Sequence, residues 1–133
     1  MIELLPAILT KANGNTTLST AINSDIYFER ADMKEATTPY ITFHVISETP
    51  RRVFRSADDF EDVLIQFSIF HKSTSVEESL TVLSDLNLTF DRQNLTYTTK
   101  ASISSARQST VGPIWMGEDD VWMTVATYRI MYN

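Results

Sequence analysis

Between Phe60 and His71 the side chains alternate without a break: Val63, Ile65, Phe67 and Ile69 on one parity, Asp62, Leu64, Gln66, Ser68 and Phe70 on the other. A period of two over that length is a β-strand. Two more runs flank it in the chain. Pro39 pushes Thr38 into an extended conformation and opens Tyr40–Ile46, where Ile41, Phe43 and Val45 share one face and Tyr40, Thr42, His44 and Ile46 the other. Val121–Tyr132 closes the chain with both faces substantially apolar, Val121, Met123, Val125 and Met131 against Trp122, Ala126, Tyr128, Ile130 and Tyr132. A strand apolar on both faces is either central to a core or lies between a helical layer and a partner subunit; the sequence leaves both open.

Helical spacing appears in three places. Ile2, Leu5, Ile8 and Leu9 form one stripe, with Pro6 tolerable only in a first turn, so a helix beginning near Glu3 is expected to stop at Asn13-Gly14. A short second helix is expected from Thr16 or Thr17 to Ile22, with Leu18, Ala21 and Ile22 inward. Ser75-Val76-Glu77-Glu78 has the form of a capping box, in which Glu78 would reach back to the Ser75 amide. The helix it opens is expected to bury Val76, Leu80, Leu83 and Leu86, with Val82 alongside, to turn Glu77, Glu78 and Asp85 outward, and to end near Asn87.

The rest is read as connection or weaker strand. Ile26–Phe28 is a short β run, Glu29–Thr38 a loop, and Glu48–Asp59 a long connection. Leu95–Gln108 is one Ser/Thr-rich extended stretch, with a loop marked by Gly112-Pro113 and Gly117 after it. The order α, β, β, β, α, β, β lacks the alternation of a doubly wound sheet. It predicts an α+β fold: a mixed, mainly antiparallel sheet with two principal helices packed on one face. At 133 residues the chain fits a single domain spanning 1–133, long enough to bury a core without staples.

Composition removes several chemistries. There is no cysteine, hence no disulfide, thiolate nucleophile or cysteine metal centre. Three glycines, Gly14, Gly112 and Gly117, cannot build a phosphate-cradling loop. Eleven Lys and Arg against seventeen Asp and Glu leave a net charge of −6, which disfavours generic duplex binding. His44 and His71 read as solvent-facing or hydrogen-bonded strand histidines, and Glu118-Asp119-Asp120 as a turn rather than a calcium loop. No segment reaches the roughly 18 apolar residues of a membrane span. Met1–Leu9, with Glu3 and Pro6, lacks the pattern of a secretory signal. The N-x-[ST] matches at Asn15, Asn87 and Asn94 are expected by chance in a chain with seventeen Thr and thirteen Ser. No catalytic, cofactor-binding or metal-binding residue is singled out.

The charge run from Arg51 to Asp62 carries the most information. Arg51, Arg52 and Arg55 are followed by Asp58, Asp59, Glu61 and Asp62, with Phe54 and Phe60 interspersed. The acids cancel the field a nucleic-acid patch would need. Either this is a solvated loop, or it is a self-complementary arm, basic in one subunit and acidic in its neighbour, anchored by the two phenylalanines. A head-to-tail contact of that kind generates a ring if its rotation closes.

In order, these motifs are a two-part N-terminal helix, Ile26-Tyr27-Phe28, Thr37-Thr38-Pro39-Tyr40-Ile41-Thr42-Phe43, Ile46-Ser47-Glu48-Thr49-Pro50 and an Arg-bearing loop. Val63–Phe70, a helix, an Asp-Asp turn and Tyr128-Arg129-Ile130-Met131-Tyr132 complete the series. Over nearly the whole chain this resembles the tail terminator, or tail completion, family of long-tailed phages and prophages. The Ser/Thr-rich stretch and Trp115-Met116 depart from that pattern. The resemblance implies a non-enzymatic virion protein without cofactor, assembled in the host cytoplasm. It implies a hexameric ring on the head-proximal end of the tail tube, which stops tube polymerisation and docks the head–tail connector protein. DNA would slide through its acidic lumen without specific binding, and no membrane is involved. Arg51, Arg52, Phe54, Arg55, Asp58, Asp59 and Phe60 are the candidate subunit or tube contacts. A small cytoplasmic α+β domain with a dispersed ligand or catalytic site is the competing expectation.

Overall fold

The computed structural model describes residues 4–22, 25–29, 39–51, 60–72, 77–97, 100–117 and 120–132. Among these described residues nine elements follow one another: α1 (Leu4–Gly14), α2 (Thr16–Ala21), β1 (Ile26–Phe28), β2 (Tyr40–Arg51), β3 (Phe60–His71), α3 (Glu77–Phe90), β4 (Gln93–Tyr97), β5 (Lys100–Met116) and β6 (Val121–Tyr132). The strands make one six-stranded sheet in the order β1-β2-β3-β6-β5-β4. Only β1 pairs in parallel; every other pairing is antiparallel. The three helices touch one another and pack on one face of this sheet, as the α+β expectation requires.

Alternation along the strands decides what that face buries. Ile41, Phe43, Val63, Ile65, Phe67, Ile69, Ala126, Tyr128 and Ile130 are all withdrawn from solvent on the helical side. Phe67 sits at the centre, its ring 4.9 Å from Phe90, 5.7 Å from Phe43 and edge-on to Tyr128 at 5.5 Å. Aromatic contacts at these separations add to the area term rather than replace it. From the helices, Leu4, Ile8, Leu18, Ile22, Val82, Leu86 and Phe90 complete the core.

Three local expectations are corrected. α3 continues to Phe90 rather than ending near Asn87, because the extra turn seats Phe90 on Phe67 and Thr89 beside Asn15. Its inward face is rotated: Ser79, Val82, Asp85, Leu86, Thr89 and Phe90 are buried, whereas Leu80 is 45% exposed. Glu78 lies against His71, Nε2 to Oε2 2.6 Å, which ties the first turn of α3 to the end of β3; Ser75 and Val76 lie outside the described residues. α1 is rotated in the same sense, with Leu4, Ala7, Ile8 and Ala12 innermost and Leu5 and Leu9 at its margin.

The strands are also longer and more numerous than the alternation suggests. β2 runs on through Pro50 to Arg51 past a register shift between Val45 and Ser47, with Arg51 opposite Phe60. The Ser/Thr-rich stretch is divided into β4 and β5. Gly112-Pro113, expected in a loop, lies inside β5 at a register shift between Val111 and Ile114. Gly112 has φ +104°, and a Cβ there would come within 2.8 Å of the Met123 carbonyl oxygen, so only glycine fits this bulge without strain.

Hydrogen bonds lock the helical layer. Asn15 caps α2 by accepting from the Leu18 amide at 3.2 Å, and its own amide donates to Thr89 Oγ1 at 2.7 Å. Thr89 in turn donates to the Asp85 carbonyl at 2.7 Å. The Tyr128 hydroxyl donates to Asn87 Oδ1. Burial first, and the Asp91 charge second, push that phenol above the ordinary tyrosine value, with Arg107 opposing. Two of the three N-x-[ST] asparagines therefore hold structural contacts.

Candidate assembly surface

The sheet face opposite the helices has no described element on it. Its side chains fall into rows across β2, β3, β6 and β5, because residues paired in register share a face. One row is Tyr40–Phe70–Met123–Ile114 and the next is Thr42–Ser68–Val125–Val111. The following row, His44–Gln66–Thr127–Ser109, is polar. The Tyr40 and Phe70 rings stack at 5.1 Å. Val111 and Ile114 stand 53% and 42% exposed. An apolar band thus crosses four strands at the end of the sheet near the β5–β6 turn; Trp115 and Trp122 meet at 5.1 Å at the same end but in the row of His71, on the helical side.

The other end of the sheet is polar. Here the Asp62 carboxylate accepts from Arg129 Nε at 2.8 Å, and the Tyr132 hydroxyl donates to Glu48 Oε1 at 2.9 Å. The Asp62 partner raises the Arg129 guanidinium still further above the physiological range. These pairs brace the base of the hairpin from which the charged loop leaves. Arg51 and Phe60 close its ladder through their backbones. Their side chains, and Arg52, Phe54, Arg55, Asp58 and Asp59 entirely, lie outside the described residues.

Recesses lined by described residues lie on the helical layer. A polar groove of about 690 Å³ runs between α1, the start of α2, the end of α3 and β4, lined in part by Lys11, Thr16, Gln93 and Asn94. Its Asn15 and Thr89 are bonded to each other. A shallower one of about 370 Å³ follows the outer face of α3, past Leu80, Leu83 and Leu88, and Leu88 is 70% exposed. Among the described residues no three His, Asp or Glu side chains converge as a metal site would need. His44 sits on the open face opposite Gln66, whereas His71 is buried against Glu78. Surface suited to contact is what this geometry offers.

No family model and no curated protein matches the sequence. The fold is shared. A chain of the "virion of native gene transfer agent (GTA) particle" superposes with a TM-score of 0.74 over 98% of this chain and 94% of its own, at 8% identity. A second solved chain matches with a TM-score of 0.67 over 97% and 95%, at 9% identity. Likeness at such identities is one of fold, and it extends over nearly the whole chain in both cases.

Sequence reasoning singled out the charged loop and the last strand, and passed over the apolar band. Its signal was present: Tyr40, Phe70 and Met123 all sit on the parity opposite the core residues of their strands. Linking them into one row needs the register between strands, which no single segment contains.

Proposed function

We propose that this chain is a structural protein of a tailed, phage-like particle, and specifically its tail terminator. In this role six copies form a ring on the head-proximal end of the tail tube, stop its polymerisation and offer a docking surface to the head–tail connector protein. The observation that carries the reading is the full-length fold likeness to a virion chain, which agrees with the motif order of the sequence. The uncovered apolar band supports it, since a face of that kind on a subunit serves association. The loop rooted at Arg51 and Phe60 supplies a second contact, Arg51, Arg52 and Arg55 of one copy meeting Asp58 and Asp59 of the next, with Phe54 and Phe60 as anchors. Six acidic subunits give the lumen a negative potential through which DNA passes unbound. Protein–protein contact, rather than catalysis, is then the whole of its activity.

The competing reading, a small ligand-binding or enzymatic domain, has the polar groove beside α2 in its favour. Purified chain added to polymerising tube protein separates the two. A terminator halts elongation at substoichiometric amounts and is seen at one tube end; tubes that grow to unchanged length would refute it. Reversing Arg51 and Arg52 to Glu should weaken capping at least tenfold while leaving the circular-dichroism spectrum unchanged. Full capping by that variant would remove the arm from the account.

A further inference from the structure

β2 and β5, the strands next to the short edge strands β1 and β4, are each covered on their outer side along only part of their length. β1 pairs with β2 from Ile41 to Phe43, and the Glu29 amide adds one bond to the Phe43 carbonyl at 2.7 Å. From His44 to Arg51 no described strand lies on that side. On the far side of the sheet, β4 pairs with β5 from Lys100 to Ser105, and the Arg107 amide donates to Asp91 Oδ1 at 2.9 Å. From Gln108 to Met116 the β5 edge is again bare among the described residues. Four of the seven exposed large apolar side chains among the described residues, Ile46 on the first edge and Val111, Ile114 and Trp115 on the second, sit on these two stretches. Bare, apolar edges are templates for strand addition.

We infer that the occupant of each edge is the other edge of a second copy, β2 of one subunit pairing with β5 of the next; this deepens the ring reading above and rests on it. Direction supports the match. β2, β3, β6 and β5 alternate in direction, so β2 and β5 run oppositely. A copy related by rotation about an axis along the strands therefore sets its β2 antiparallel to this β5, and the alternation continues unbroken. Pairing β5 with itself about a two-fold would leave Ile46 and the β2 edge open, whereas the head-to-tail join covers both.

The offset of the bare stretches supports the match too. Glu48 of β2 lies level, through Val63 and Ile130, with the β4-covered Ser105 of β5. Val111 lies level, through Val125 and Ser68, with the β1-flanked Thr42. The neighbour must therefore slide along the strands, by about 17 Å (roughly five residues at ~3.3 Å each), for every ~19 Å across them (four strands at ~4.8 Å each). That slope corresponds to strands tilted by about 40° to the ring axis, within the ~35–45° at which sheets close on themselves. Pro50, Pro113 and the β5 bulges limit pairing to a short run, which guards the free chain against open-ended aggregation.

The absence of cysteine makes the test direct. Exposed Thr49 and Thr110 are replaced, T49C and T110C, singly and together, and treated with a short bis-maleimide in purified tails and in concentrated free chain. The double variant should give a ladder of products beyond the dimer, and neither single variant any. No ladder from the double variant in either sample overturns the edge contact, and so do dimers from T110C alone with nothing larger from the pair. A second pair, S47C with S109C, replaces the first if circular dichroism shows a disturbed fold. Normal tails that carry the chain without a ladder would sink the edge contact and spare the terminator role. A ladder in particles whose tail length is indifferent to this chain would do the reverse.

Discussion

The same four strands present two faces with opposite fates. On the helical side Phe43, Phe67, Ile65 and Tyr128 are sealed under α1, α2 and α3. On the other side Tyr40, Phe70, Met123, Val111 and Ile114 form an apolar band that no described element covers. Alternation puts each set one residue from the other, so a single strand supplies stability through one parity and association through the next. Substitutions on the two faces should therefore separate unfolding from assembly.

The largest effect is expected at the covered face. Phe67→Ala removes the ring that three other aromatics touch, and should cost about 3–5 kcal/mol in urea unfolding. A loss below ~1 kcal/mol would mean that the aromatic cluster is not the centre of the core. Gly112→Ala tests the seam between the faces: with φ +104° and the Met123 carbonyl in the way, it should cost roughly 1–3 kcal/mol. An unchanged melting temperature would show that the β5 bulge relaxes freely.

Tyr128→Phe keeps the packing and removes the hydrogen bond to Asn87, an expected loss of about 1 kcal/mol. The native state retains the phenol proton that the unfolded chain releases near pH 10. The folded value is raised, so this contribution is complete below the unfolded value and falls away as pH climbs past it. The variant should show a flatter decline of stability above ~pH 10 than the parent, and parallel curves would place the proton elsewhere. Val111→Asp, on the open side, should change stability by less than ~0.5 kcal/mol yet lower incorporation into tails at least tenfold in immunoblots of purified particles. Equal incorporation would free Val111 from the contact surface.

What the sequence disclosed follows from how locally each feature is encoded. The three long strands were legible because alternation is written into consecutive residues, and β2's start because Pro39 fixes it. The helices were legible in place but not in rotation. Leu80 and Leu83 look like core by spacing, yet Asp85 is buried and Leu80 exposed because Phe90 and Thr89, further along α3, set its seating on Phe67 and Asn15. β4 was read as one stretch with β5 because no Gly, Pro, Asn or Asp between Leu95 and Gln108 marks a break, and Gly112-Pro113 looked like a loop because a bulge and a turn use the same residues. The open band and the bare edges depend on register and strand order, which emerge only when distant segments meet. The charged loop is the converse, prominent in sequence while Arg52 to Asp59 fall outside the described residues.

Tail length in particles made without this chain tests the terminator role most directly. The account predicts tubes of broadly distributed, excessive length detached from filled heads, and a return to one length with heads attached when the chain is restored. Tails of normal length joined to heads in its absence would contradict it.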